Sequence, residues 1–287
     1  MDEDWDRAID DELATGSPPW LRDRVAVVAG GGLSGPDGGV GFSIAWQYAR
    51  HGARVAILDR DPEAAGRAVA MIRRAGGAAE AFPADLVAEE SVEAALAAVV
   101  DRLGPVDLVA DSLGGGGSAP ILGATAEDWD RAMQLNLRSA WLLLRAAAPR
   151  MREGGAMVFV SSVTVEGHQP GMPYTVAKAA LEQLVIGAAS SLAPRGIRVN
   201  CVRIGMIWGA FAARGVDAAQ RELRRRSVQL RTEGNVWDIA EAALFLSTPQ
   251  SRWISGQILA VDGGGAVPAE VGQAGQASHR GSADTTS

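Results

Sequence analysis

Short apolar runs alternate with longer amphipathic stretches along most of the chain. The runs 25–29, 54–58, 79–83, 108–111, 156–161, 198–203 and 257–261 hold apolar residues at most consecutive positions. That pattern marks strands buried on both faces. Residues 41–51, 62–75, 89–103, 126–151, 174–193, 217–226 and 236–247 repeat their apolar positions at helical spacing and predict helices. Buried strands separated by helices predict an α/β fold, a single parallel sheet covered by helices on both faces. The β-α-β-α-β order from residue 24 is that of a dinucleotide-binding half, so the expected architecture is a Rossmann-type, doubly wound sheet.

The first strand runs into Ala-Gly-Gly-Gly-Leu-Ser-Gly-Pro-Asp-Gly-Gly-Val-Gly over 29–41, and then into a helix. Glycine permits positive φ and close approach of backbone to a ligand. A helix N-terminus offers free N–H groups to a pyrophosphate. Gly30, Gly32, Gly39, Val40 and Gly41 are therefore candidate cofactor contacts. Asp59 follows Gly41 by eighteen residues and ends the second strand. A carboxylate there can accept from both ribose hydroxyls of NAD and repels a 2′-phosphate. Arg60 and Arg54 are the features that would favour NADP, and NAD is the preferred reading. Asp85 and Leu86 follow the third strand, where the carboxylate can reach an adenine edge.

Tyr174 and Lys178 are four residues apart on one helix face. Tyrosine ionises near pH 10 and is a poor base at neutral pH; a neighbouring cation favours its phenolate. Ser162 closes the 156–161 strand twelve residues before Tyr174. It can hold a substrate oxygen, which makes the three a proton-transfer site for an alcohol or ketone.

Bulk composition narrows the setting. The 287 residues suffice for one large domain with a sizeable core. A net charge of −7 gives no footprint for nucleic acid or an anionic membrane. Cys201 is the only cysteine, so no intrachain disulfide can form. Residues 1–22 read as an acidic arm without signal-peptide character and 266–287 as a flexible tail. They flank a domain over 23–265 in a chain expected to be cytoplasmic.

These pieces, in this order, resemble the short-chain dehydrogenase/reductase family over about residues 23–265. The resemblance rests on the glycine loop, Asp59, Asp85-Leu86, Asn136, Ser162, Tyr174/Lys178, the Arg195–Asn200 run and Val261-Asp-Gly-Gly264. It implies that Tyr174 is the general acid/base. Lys178 tunes Tyr174 and holds the nicotinamide ribose, Ser162 orients the substrate oxygen, and Asn136 anchors a water in a relay to Lys178. By the same likeness Ser112, Gly114, Gly205 and Ile207 are cofactor contacts. Gly115, Thr164, His168, Met172, Met206, Trp208 and Phe211 line the substrate pocket, and the assembly is a homotetramer or homodimer. No metal is expected.

The departures are an insertion around 33–38, Asp111-Ser-Leu-Gly114 in place of Asn-Asn-Ala-Gly, and Gly209 where a threonine is usual. The long loop resembles the enoyl-reductase branch, but the Tyr–Lys spacing sides with the carbonyl-reducing group. The expected reaction is reversible hydride transfer between NAD and a cyclic or hydrophobic secondary alcohol. Enone reduction, epimerisation or dehydration on the same fold, and a non-catalytic NAD-binding role, are the alternatives.

Overall fold

The computed structural model describes residues 20–35, 38–115, 119–120, 122–167, 171–210, 212–213 and 216–265. Seven parallel strands form one sheet in the order β3-β2-β1-β4-β5-β6-β7. They are β1 (Val25–Ala29), β2 (Arg54–Asp59), β3 (Ala78–Pro83), β4 (Val106–Asp111), β5 (Met151–Ser162), β6 (Arg198–Ile204) and β7 (Ile258–Val261). The helices are α1 (Val40–Arg50), α2 (Pro62–Arg74), α3 (Glu89–Leu103), α4 (Ala126–Met133), α5 (Ser139–Ala147), α6 (Met172–Leu192), α7 (Ala218–Ser227) and α8 (Val236–Ser247). The seven-strand, doubly wound expectation is met.

Strand alternation splits the core in two. Val27, Val109, Phe159 and Cys201 point to the face packed by α3, α5 and α6. Val28, Ala110, Val158 and Val202 point to the face packed by α1, α2 and α8.

Two boundaries differ from expectation. The continuous helix over 126–151 is broken: a π turn, Gln134–Arg138, separates α4 from α5, and β5 already starts at Met151. The early start of β5 passes through a polar Arg-Glu-Gly-Gly stretch in which Gly154 has φ 74° and the register to β4 shifts.

The helix starts explain which end is open. Asp61 caps α2 through Glu63 N and Ala64 N, and Thr125, Asp217 and Asn235 open α4, α7 and α8 with capping boxes. The N-cap of α1 is Gly39, with no side-chain cap, so its first N–H groups stay available at the carboxyl ends of the strands.

At the opposite end Asp107, 1% exposed, ties β1 to β4. It accepts from Val25 N at 2.8 Å, Arg24 at 2.8 Å and Arg152 at 3.2 Å. The arginines are half exposed and add little, but the buried amide loses its acceptor in Asp107→Ala. That substitution is expected to cost about 2–3 kcal/mol and lower the melting temperature by about 5–10 °C. Calorimetry of the two proteins checks it; an unchanged melting temperature would remove Asp107 from the fold's supports.

Candidate active site

The strand order reverses between β1 and β4, and the candidate residues gather at the carboxyl ends of the strands around that point. Gly30 turns with φ 70° and donates to Leu58 O at 2.8 Å. A β carbon on Gly41 would sit 2.1 Å from Gly30 O, and one on Gly32 would sit 2.5 Å from Asp59 Oδ2. The loop packs this closely only because both are glycines. Asp59 Oδ2 accepts from Gly32 N at 3.0 Å and Oδ1 from Asp61 N at 3.1 Å. A carboxylate has about four acceptor positions, so capacity for ribose hydroxyls remains. Uncapped α1, the glycine loop and Asp59 together fit an adenine dinucleotide.

Arg60 is exposed beside Asp59. Arg54 opens β2, about 16 Å along the strand from Asp59, and is removed as an NADP determinant. The Ser112 hydroxyl donates to Ala29 O at 3.0 Å and Gly30 O at 3.3 Å, so it braces the glycine loop. Asp85 is exposed and accepts from Val87 N, while the N-cap of α3 is Ala88; Leu86 is buried in the core. The inserted loop is tied down where Ala210 N donates to Gly38 O at 2.8 Å.

On the other side of the switch point, β5 ends at Ser162, paired in register with Ile204 of β6. The Ser162 hydroxyl lies beside the Tyr174 phenol and favours its ionisation. Ser161 points to the opposite face, and its hydroxyl is buried without a partner among the described residues. The interaction with Tyr174, not the pleat, selects Ser162.

Lys178, 3% exposed, places its Nζ 5.9 Å from the centre of the Tyr174 ring. It donates to Val160 O at 2.8 Å and Leu113 O at 3.5 Å. An ammonium has three donors, which leaves one for a ribose hydroxyl. Asn136 lies in the π turn and is 1% exposed. Its amide donates to Gly115 O at 2.7 Å and Ala132 O at 3.0 Å and accepts from Gly115 N at 3.1 Å. The side chain therefore fixes the loop after β4. A β carbon on Gly114 would lie 3.0 Å from both Asn136 Oδ1 and Lys178 Nζ, so glycine there lets the two meet.

The electrostatics amend one expectation. Burial pushes the Tyr174 phenol above its ordinary value, and the Ser162 hydroxyl only partly opposes it. The expected lowering by Lys178 does not prevail, because the ammonium is turned to backbone carbonyls. Burial also lowers Lys178, while Asp111 holds it up. Asp111, 4% exposed at the end of β4, is pushed up to about 6 by burial.

The substrate-side residues are less concentrated. Gly115 and Thr164 flank the site, with Thr164 N donating to Ser162 Oγ at 3.4 Å. Met172 and Met206 are half-buried, Met206 with its sulfur 3.9 Å from Ser227 Oγ. Trp208 has one ring face covered by Arg221, 3.9 Å from its centre. Gly205 packs on Asp262, where a β carbon would come 2.5 Å from Cα, and Ile207 N donates to Gly205 O. A β carbon on Gly209 would meet Val236 Cγ1 at 2.5 Å, so the usual threonine has no room. His168 and Phe211 lie outside the described residues.

Sequence reasoning missed two features. One is the ion network in which Arg203 binds Glu182 bidentately, at 2.9 and 2.7 Å, and also Glu166 behind Ser162. The other was visible in the composition: Lys178 is the sole lysine among 27 Lys and Arg residues.

A family model described as "Enoyl-(Acyl carrier protein) reductase" matches residues 35–265. The 7alpha-hydroxysteroid dehydrogenase of Escherichia coli (strain K12) is 34% identical over 248 residues, which cover 85% of this chain and 95% of that protein. A dehydrogenase/reductase from Sinorhizobium meliloti 1021 superposes with a TM-score of 0.79 at 31% identity, over 89% of this chain and 98% of that one. A blue fluorescent protein from a metagenomic library, solved with NADPH, gives a TM-score of 0.78 at 30% identity, over 86% and 100%. The chain belongs to the short-chain dehydrogenase/reductase family. Its broad class is oxidoreductase, with a nicotinamide dinucleotide as cofactor.

Proposed function

We propose that the protein interconverts a secondary alcohol and a ketone with NAD, using Tyr174 as general acid/base. The observation that carries this reading is the Ser162 hydroxyl placed beside the Tyr174 phenol, with buried Lys178 next to them, at the strand ends that also hold the glycine loop. The 7alpha-hydroxysteroid dehydrogenase likeness supports a hydroxyl-bearing substrate, and half-buried Met172 and Met206 support an apolar or cyclic one.

When bound, the cofactor supplies or accepts a hydride and, in its oxidised form, adds one positive charge. The glycine loop and α1 N-terminus hold the pyrophosphate, Asp59 the adenosine ribose, and the spare Lys178 donor the nicotinamide ribose. Ser162 holds the substrate oxygen against the Tyr174 hydroxyl. Tyr174 takes the alcohol proton in oxidation and returns it in reduction.

A panel of secondary alcohols and ketones, assayed with NAD and NADP side by side, tests the reading. At least a tenfold higher kcat/KM with NAD is expected, because the Asp59 carboxylate repels a 2′-phosphate. A preference for NADP, the phosphorylated form seen with the blue fluorescent protein, would overturn the role of Asp59. Enone reduction is a second reading, favoured by the description of the matching family model. Product analysis separates the two, since that reaction saturates a carbon–carbon bond and leaves the carbonyl.

Trp141, Ile186, Phe245 and Leu259 are exposed at 37–44%, and Trp253 at 92%. These apolar groups support a homodimer or homotetramer, and a cytoplasmic setting is part of the same proposal.

A further inference from the structure

We propose that Asp111 is the counter-ion of Lys178, a positioning residue that keeps the ammonium charged behind Tyr174 and so sets the pH range of the site. This rests on the reading of Tyr174 and Lys178 given above. The placement follows from the sheet. Asp111 is in register with Phe159, and Phe159 with Cys201, so the three form one row across β4, β5 and β6. Alternation puts Asp111 on the face of Val109, the face covered by α6. Lys178 reaches this row from above and is bonded to Val160 O, one residue beyond Phe159. It interacts electrostatically with Asp111 and with Cys201, at the two ends of that row.

One residue braces both charges. Leu113 N donates to Asp111 Oδ1 at 3.0 Å, and Leu113 O accepts from Lys178 at 3.5 Å. Among the described residues, the other Asp111 oxygen accepts no hydrogen bond, which leaves it to the ammonium's field.

The surrounding groups leave the role to Asp111. On α6, Glu182 is one turn beyond Lys178 but is bound by Arg203 of β6 through two hydrogen bonds. Burial pushes the Cys201 thiol up to about 12, so it stays neutral. Tyr174 is the remaining titratable group on this face of α6, and its phenol is held protonated by burial. The neighbouring strand positions are Ala29 and Phe159, and Asn136 carries no charge.

A buried ammonium is costly unless paired. Asp111 is charged above about pH 6 and neutral below it, so its protonation removes the partner of Lys178. The sign follows from electrostatics. Without the carboxylate, the ammonium loses stabilisation and gives up its proton at lower pH.

Because the chain has a single lysine, isotope-labelled lysine gives one side-chain resonance to titrate by NMR. In the wild-type protein that resonance is expected to show a small step near pH 6 as Asp111 ionises, then its own titration at higher pH. In Asp111→Asn the step vanishes, and the lysine midpoint falls by roughly one to two units. A wild-type resonance without the acid step overturns the pairing even if the variant does not fold. An unmoved midpoint in a folded variant overturns it as well.

The pH profile of turnover is a separate arm. The limb set by Lys178 is expected to move to lower pH in Asp111→Asn, whereas a purely structural defect lowers the rate without moving it. If the NMR shift appears and the profile stays in place, the pair stands and the catalytic reading of Lys178 and Tyr174 fails.

Discussion

Tyr174→Phe is expected to lose at least a hundredfold in turnover of a secondary alcohol, the contribution of a placed general acid–base. Dinucleotide affinity should stay nearly unchanged. The substitution removes one oxygen and keeps the ring, so the packing of the α6 N-terminus is preserved and only Ser162 loses a partner. The same hydroxyl fixes the pH response. Oxidation needs the phenolate, and the raised phenol makes that form scarce at neutral pH, so oxidation should speed up into the alkaline range. Reduction needs the protonated form and should hold its rate through neutrality, then fall. Steady-state kinetics in both directions, with dinucleotide binding measured separately, check these statements. A variant retaining more than about a hundredth of the rate would take the proton-transfer role from Tyr174.

Gly41→Ala is expected to disable the cofactor end. The new methyl would lie 2.1 Å from Gly30 O and 2.3 Å from Ser112 Oγ, so the glycine loop and the end of β4 must move away from α1. Overpacking of this kind costs about 1–3 kcal/mol or more, and about 2–4 °C of melting temperature accompanies each kcal/mol in a domain of this size. The larger effect falls on binding, because the uncapped α1 N-terminus and Gly30 no longer keep their spacing. Thermal unfolding with and without NAD should show a lower baseline and no cofactor-induced rise. A variant with the wild-type response would mean that the loop can open without losing its function.

Legibility in the sequence followed the kind of signal. Strands buried on both faces leave consecutive apolar residues, so the parallel sheet could be read directly. The break in the 126–151 helix could not. Gln134–Arg138 contains no Gly or Pro, and Asn136 within that turn is bonded to the backbone of Gly115, a tertiary contact. The start of β5 was hidden for a related reason, since its Gly-containing polar opening reads as a loop.

Among site residues, Tyr174, Lys178 and Ser162 were found from spacing, and the interaction with Tyr174 then separated Ser162 from Ser161. The carboxylate of Asp111 was visible, but its partner was not, because only the register across β4, β5 and β6 brings it under Lys178. Arg54 was misplaced because proximity in sequence to Asp59 hid the length of an extended strand.

The near absence of lysine reaches beyond the active site. Apart from the α-amino group, the groups that ionise between the ranges of histidine and arginine are Cys201, Tyr48, Tyr174 and Lys178. Tyr48, Cys201 and Lys178 are at most 3% exposed, and burial also raises both phenols and the thiol. Arginine keeps its charge beyond about pH 12. The exterior therefore carries nearly the same electrostatic potential in weak base as in strong base. Alcohol oxidation liberates a proton and is drawn forward by alkali, and the molecule meets those conditions with its outer ion pairs undisturbed.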